Sequence, residues 1–425
     1  MHKAIGMILA GGRVEDLSVL TEQRPKSAVV FGGTYRTIDF ALTNLANSGV
    51  GSVGILVQYR PSSLMDHVGT GMAWDLVGTT RGVRFLPPYL KATLGEQYRG
   101  PADALYQNLD FMERLGCDDV LTVSGDHVCQ MDYRPLLNFH YEHDADMTMA
   151  FVPMEQGASR FGIGELNAEG ELVNLAEKPE RPRTNLASMS VYCFRREVLV
   201  EELRESLKGG EATFQIHEVI RRMMSRRRAY GFVHYGYWGY TRTIDDYVAF
   251  HRDLLGPSPK VTLSTVRSNL MAGRVTPPPP TSFLPGAEVQ QSLVSAGCTI
   301  EGTVQRSVLS PGVRVAKGAV VRDCVLWDDV VVEAEAVLEG VVSDKRAVFG
   351  RGAHVGVGEL KPSQELPGSL SCGATLVGAD VVLPAAAVIG KNCIIHPRSE
   401  PEDLPAPVGS GQSVRPSSER KEGTP

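Results

Sequence analysis

An apolar run at residues 4–9 leads straight into Ala10-Gly11-Gly12. A strand that ends in paired glycines can bring backbone N–H groups up to phosphate oxygens; for that pair alone, a tight turn without a ligand is the equal reading. Cations follow in Arg24-Pro25-Lys26-Ser27, and then comes Phe31-Gly32-Gly33-Thr34-Tyr35-Arg36. Lys brings a compact charge and Arg a planar fork, and beside a glycine turn the two suit a polyphosphate. Farther along, Asp126 closes the apolar run Val120-Leu121-Thr122-Val123. Taken by itself, a strand-end aspartate is more often a helix or turn cap than a ligand.

These residues need strand ends to hold them. Apolar runs at Ala4–Leu9, Ser52–Val57, Val120–Val123 and Met147–Val152 alternate with helical patterns at Tyr35–Ser48 and Ala102–Leu115. That alternation predicts an α/β domain, a Rossmann-like, mostly parallel sheet, over residues 1–270. Such sheets bind ligands at the carboxyl ends of their strands. The run Pro277-Pro278-Pro279-Pro280 marks a linker over 271–286.

Beyond it the period changes to six. Val313, Ala319, Val325, Val331 and Val337 form one column; Val320, Leu326, Val332 and Leu338 form another, broken at Arg314. After an interruption at about 357–371 the step returns in Leu376, Val382, Val388, Ile394 and in Val377, Leu383, Ile389, Ile395. An ordinary sandwich would alternate every two residues, so residues 287–397 are expected to form a parallel β-helix. The Pro-, Ser- and Gly-rich stretch 398–425 is expected to be a disordered tail.

Composition limits the function classes. The 425 residues carry a net charge of −6, which speaks against a nucleic-acid partner or an anionic membrane surface. No window approaches the roughly 18 apolar residues of a membrane-spanning helix, and the first apolar run is too short for a secretory leader. Seven cysteines without a C-x-x-C pair fit reduced thiols and a cytoplasmic location.

Longer words make the reading specific. Tyr35–Phe40 and Thr43–Gly49 are followed by Tyr98-Arg99-Gly100-Pro101-Ala102-Asp103-Ala104. Then come Ser124-Gly125-Asp126-His127, Phe161-Gly162, Glu177-Lys178-Pro179 and Leu186-Ala187-Ser188-Met189. In that order they resemble the ADP-glucose pyrophosphorylases, sugar nucleotidyltransferases, over roughly residues 3–397. The resemblance implies a left-handed β-helix and the reaction of ATP with glucose 1-phosphate to ADP-glucose and pyrophosphate, for α-glucan synthesis. In-line attack at the α-phosphorus makes catalysis mainly positioning and charge neutralisation. It implies Asp126 as the Mg²⁺ ligand, with Lys26 and Arg24 neutralising the triphosphate. Gly11, Gly12, Tyr98, Gly100 and Asp103 would bind the nucleotide, and Gly162, Glu177, Lys178 and Ser188 the sugar phosphate. It also implies an oligomer, either a homotetramer or a hetero-oligomer with an active paralogue.

The chain departs from the family at named places. The word G-G-x-G-x-R-L reads Gly11-Gly12-Arg13-Val14-Glu15-Asp16-Leu17 here, so Val14 replaces a glycine and Asp16 an arginine. The word W-R-D-V-G-T reads Trp238-Gly239-Tyr240-Thr241-Arg242-Thr243, which puts Tyr240 in place of a second metal aspartate. Asp245 and Asp246 follow, but Thr243 and Asp246 form a capping-box pattern. The base-side L-P-A-Q-Q reads Leu86-Pro87-Pro88-Tyr89-Leu90, and an effector lysine is Thr34. These departures leave an alternative, a non-catalytic regulatory subunit that keeps the sugar pocket. A third reading, acyl transfer with His354 or His396 as base, has less in its favour, because a lone histidine at a rung edge is more often structural.

Overall fold

Short β-rich runs punctuated by glycine turns form strands, and the periodic stretches between them form helices that cover the sheet. The computed structural model describes residues 3–89, 97–155, 157–207 and 214–417. Contacts divide the chain into two units. One is Met1–Gly12 with Thr37–Gly239; the other is Arg13–Arg36 with Tyr240–Pro425.

The first unit is built on a nine-stranded mixed sheet. Its parallel half sets Ala4–Leu9 between Asp119–Ser124 and Ser52–Leu56, with Gly82–Leu86 beyond. Leu9 is opposite both Leu56 and Ser124, so the three strands end level with one another. Its antiparallel half joins Leu186–Arg195 to Asp119–Ser124 and to Met147–Pro153, and Gly162–Leu166 to Leu172–Glu177. Ile5, Met7, Val120, Phe151 and Phe194 are buried in one core with the helices Pro101–Gln107, Leu109–Leu115 and Arg196–Ser206. The helix expected over Ala102–Leu115 breaks at Asn108, which has φ −115°. Its side-chain amide donates to the Ala104 carbonyl and to the Tyr98 hydroxyl, both 2.9 Å away. A short polar side chain competing for backbone partners ends a helix in this way.

The second unit is a parallel β-helix of three sheets. Most coils before the interruption pair 17 positions apart, as in Val321↔Leu338, though an early coil spans 15, as in Ile300↔Val315. Across the interruption the spacing is 34, as in Phe349↔Leu383. A strict six-step would give 18 per coil, so one step in three is five. The buried inner column runs Val313, Ala319, Cys324, Val330, Ala336, Val341, Ala347, Ala353. The column expected through Val325, Val331 and Val337 therefore slips: Val331 and Val337 are half-buried, while Val332 and Leu338 fill the interior. Each buried Val or Leu contributes about 1.5–3 kcal/mol relative to exposure. At Gly356 (φ +81°) a Cβ would run into the Glu339 carbonyl, so only glycine fits.

Two stretches expected outside the β-helix take part in it. Ser282–Phe283, inside the proline-rich 271–286, pairs with Thr299–Ile300 as the first coil begins. Ser413–Val414, inside the expected tail, pairs with Ile394–Ile395, because Val414 has an apolar place in the core to fill. Residues 418–425 lie outside the described part, as does Leu90. Arg13–Arg36 and the helix Ile244–Arg252 also belong to this unit. Leu17, Leu20, Val30, Ile244 and Tyr247 are buried with Val325, Trp327 and Leu376 of the coils. The helix opens on a capping box: Asp246 N–H donates to Thr243 Oγ1 (3.1 Å) and Thr243 N–H to Asp246 Oδ2 (3.0 Å).

Candidate functional site

In the first unit, the level ends of the parallel strands Ala4–Leu9 and Ser52–Leu56 open into a cavity of about 230 Å³. Gly11, Gly12, Tyr98 and Gly100 line it together with Leu9, Leu56, Gln58 and Ala104. A Cβ at Gly11 would stand 3.2 Å from Gln58 Cβ, whereas nothing lies within 4 Å of one at Gly12. The first glycine is thus set by packing, and the second leaves open space. Gly100 is extended; a Cβ there would strike the Phe214 carbonyl, which accepts from Ala102 N–H (3.0 Å).

Tyr98 is the best-tied member of the wall. Its N–H donates to Gln58 Oε1 (2.6 Å), its hydroxyl donates to the Leu86 carbonyl (2.9 Å), and the same hydroxyl accepts from Asn108. Burial raises its phenol to about 12, so it stays protonated. Asp103, expected beside it, does not line the cavity. Its buried carboxylate accepts from Arg99 N–H (2.9 Å) and Gln107 Nε2 (3.1 Å), fixing the start of the helix Pro101–Gln107. Gln58 escaped sequence reading because its only signal was a polar residue two places beyond a strand.

A second cluster lies across the antiparallel half. Gly162 pairs with Glu177, and a Cβ at Gly162 would stand 3.2 Å from Glu177 Oε2 and 3.6 Å from Ser188 Cβ. Lys178 Nζ is 3.4 Å from Glu177 Oε1. Lys178 itself has φ 45°, a conformation a non-glycine residue holds at a cost, and one that recurs at binding sites. Gly162, Glu177, Lys178 and Ser188 thus meet as one group that offers a carboxylate, a cation and a hydroxyl.

Asp126 follows the strand Asp119–Ser124 and turns the chain back into His127–Cys129. Ser124 Oγ donates to Asp126 Oδ1, and His127 Nε2 lies 3.4 Å from the same oxygen. His127 Nδ1 takes the Trp238 indole N–H at 3.2 Å. Trp238 packs on the other side against Phe161, with ring centroids 4.9 Å apart, next to Gly162. Among the described residues no group of three or more His, Cys, Asp or Glu could cage a metal. One carboxylate still fits a hard divalent cation, because such an ion can take one or two carboxylates and complete its shell with water and substrate phosphates.

The remaining candidates belong to the second unit. Arg24 is committed to its own unit: its guanidinium is bidentate on Asp344 (2.7 and 3.2 Å), donates to the Leu20 carbonyl (3.0 Å) and lies 4.9 Å over Trp327. Lys26 is 2% exposed, with its ammonium 3.7 Å from the centroid of the Tyr240 ring. Asp16 is explained locally, since its Oδ1 accepts from Ser369 Oγ at 2.7 Å. Val14 has φ −124° and ψ 112°, extended backbone that valine adopts easily, so the missing glycine costs nothing there. Asp245 holds the interrupting loop through Ser371 N–H (2.9 Å) and Cys372 N–H (3.0 Å). Thr34 Oγ1 donates to Ser295 Oγ at 3.1 Å.

His396 has no room to act as a base. It is buried, with Nδ1 2.9 Å from Glu22 and Nε2 3.1 Å from Glu365. Two carboxylate partners require both ring nitrogens to carry protons. Burial opposes that charge, but the two carboxylates outweigh it and the imidazole is raised above its usual value. Burial would raise Glu365, yet His396 and Arg415 hold it down to about 2.

Comparison with known proteins agrees with this layout. A model described as nucleotidyl transferase matches residues 5–256, and one described as GlmU-like, C-terminal hexapeptide, matches 285–377, as expected for left-handed coils. A glucose-1-phosphate adenylyltransferase of Acetivibrio thermocellus is 37% identical over 424 residues, covering 97% of this chain and 98% of that protein. One of Thermomicrobium roseum is 43% identical over 416 residues (96% and 97%). One of Thermotoga maritima is 39% identical over 409 residues (95% and 96%). Among the described residues no helix is long and apolar enough to cross a membrane.

Proposed function

This chain belongs to the nucleotidyl transferase family and is an enzyme of that class, and on that premise we propose that it makes ADP-glucose and pyrophosphate from ATP and glucose 1-phosphate. A phosphate oxygen of the sugar forms a new bond to the α-phosphorus of ATP. The bond from that phosphorus to the bridging oxygen breaks, and pyrophosphate leaves with the electron pair. The observation that carries this reading is the placement of Gly11, Gly12 and Asp126 at the level ends of adjacent parallel strands. The cavity wall of Gln58, Tyr98 and Gly100 receives the nucleoside. Glu177 accepts hydrogen bonds from sugar hydroxyls, Lys178 meets the sugar phosphate, and Ser188 closes that pocket. Asp126 would hold Mg²⁺, which supplies charge neutralisation on the phosphates when bound.

Arg24 keeps its proposed part only indirectly, by fixing the segment that carries Lys26. The seven cysteines are free thiols, which supports a reducing, cytoplasmic setting. The β-helix offers lateral faces suited to a tetramer or a mixed oligomer. One observation favours the second reading, a regulatory subunit: Tyr240 covers the Lys26 ammonium where the family places a carboxylate. Asp126→Asn separates the two. The transferase reading expects turnover in the unmodified protein and a loss of about 10²–10³ in kcat for the variant, the usual worth of one electrostatic group. Unchanged activity in the variant would remove the metal assignment.

A further inference from the structure

Asp126 is a single carboxylate on a turn, and a lone aspartate there has rotamer freedom that a metal ligand must not keep. Two neighbours remove it, and a third holds one of them. Ser124 Oγ donates to Oδ1 from one side, and His127 Nε2 faces the same oxygen at 3.4 Å. The indole N–H of Trp238 can only donate, so His127 Nδ1, 3.2 Å away, must accept. That leaves the ring's one N–H on Nε2, the nitrogen turned toward Asp126. The His127 and Trp238 rings meet edge to face at 5.3 Å, which holds the imidazole plane. His127 and its Asp126 partner are largely withdrawn from solvent, with side chains 9% and 17% exposed.

We propose that His127 is a positioning residue for the transfer reaction: Trp238 fixes its tautomer, and its Nε2–H orients Asp126 for the divalent cation. The proposal rests on the reading of Asp126 as metal ligand given above.

The test uses the full-length protein. ¹⁵N-histidine NMR should find His127 neutral with the proton on Nε2, and Trp238→Phe should release that tautomer. Mn²⁺ binding in the presence of ATP, read by electron paramagnetic resonance, should weaken about 10–100-fold in His127→Ala, the usual effect of losing a residue behind a metal ligand. His127→Gln, whose amide N–H can stand where Nε2–H stood, should recover most of that loss. In turnover, kcat should fall while KM for glucose 1-phosphate holds. Wild-type Mn²⁺ affinity in a folded His127→Ala, or a proton found on Nδ1, would overturn the inference. Asp126→Asn separates this failure from that of the underlying reading. If Asp126→Asn binds Mn²⁺ normally, the metal assignment falls and the positioning role falls with it; if it does not while His127→Ala does, only the positioning role is lost.

Discussion

The cavity of the first unit and the segment Arg13–Arg36 of the second carry neighbouring words of one sequence, yet they use their polar groups in opposite ways. In the first unit, Gly12 has open space at the cavity, and the Glu177–Lys178 pair of the antiparallel half is partly exposed. In the segment, Arg24 is consumed by Asp344, Asp16 by Ser369 and Glu22 by His396. The contrast shows that a charged residue close in sequence to a phosphate-type turn need not serve it. Asp16 and Val14, which look like damage to a nucleotide loop, are ordinary parts of a segment fastened to β-helix coils.

That contrast can be broken or sharpened by substitution. The largest effect is expected for Arg24→Ala, which leaves Asp344, 1% exposed, as a buried charge without its partner. Breaking such a pair costs about 3–5 kcal/mol, so denaturant unfolding should show a large loss of stability. A stable Arg24→Ala with selectively lost turnover would return Arg24 to the catalytic group.

Next in size is His396→Gln, expected to lose about 2 kcal/mol, as for hydrogen bonds to charged groups. Its pH dependence is specific. The imidazole is raised in the folded state, so its contribution is full below the unfolded value of 6.5 and fades as pH climbs through the folded value. Glu365 is depressed to about 2, so its contribution is present above 4.5 and is lost on acidification toward 2. The gap in unfolding free energy between wild type and His396→Gln should therefore be widest between about 4.5 and 6.5 and narrow in alkali. A gap independent of pH would mean that the ion cluster does not hold the segment.

Smaller still, Gln58→Ala should raise KM for ATP about fivefold, the worth of one net hydrogen bond, with only a small fall in melting temperature from the lost Tyr98 N–H acceptor. Thr243→Ala removes the cap of Ile244–Arg252 and should cost about 1 kcal/mol of stability without altering KM. If the two variants exchanged these phenotypes, the division into a binding wall and a fastening would fail.

Much of this was legible in the sequence, for physical reasons. The β-helix announced itself because stacked coils repeat their inward residues, but the short step of five was hidden by valines that stand on both faces of its strands. The strand-end turn at Gly11-Gly12 and the meeting of Gly162 with Glu177 were readable from local words and from family resemblance. What stayed invisible was pairing across long separations: Trp238 with His127 is 111 positions apart, Arg24 with Asp344 320, and Asp16 with Ser369 353. Periodicity carries no information on such pairs. Asp103 misled because a buried helix-start carboxylate and a ligand-binding one look alike in a word.

The most direct test is pyrophosphate release by the purified full-length protein with Mg²⁺, glucose 1-phosphate and each nucleoside triphosphate in turn. Turnover with ATP ahead of the other nucleotides is the expected result. No turnover with any of them, together with measurable binding of ADP-glucose, would contradict it and establish the regulatory reading in its place.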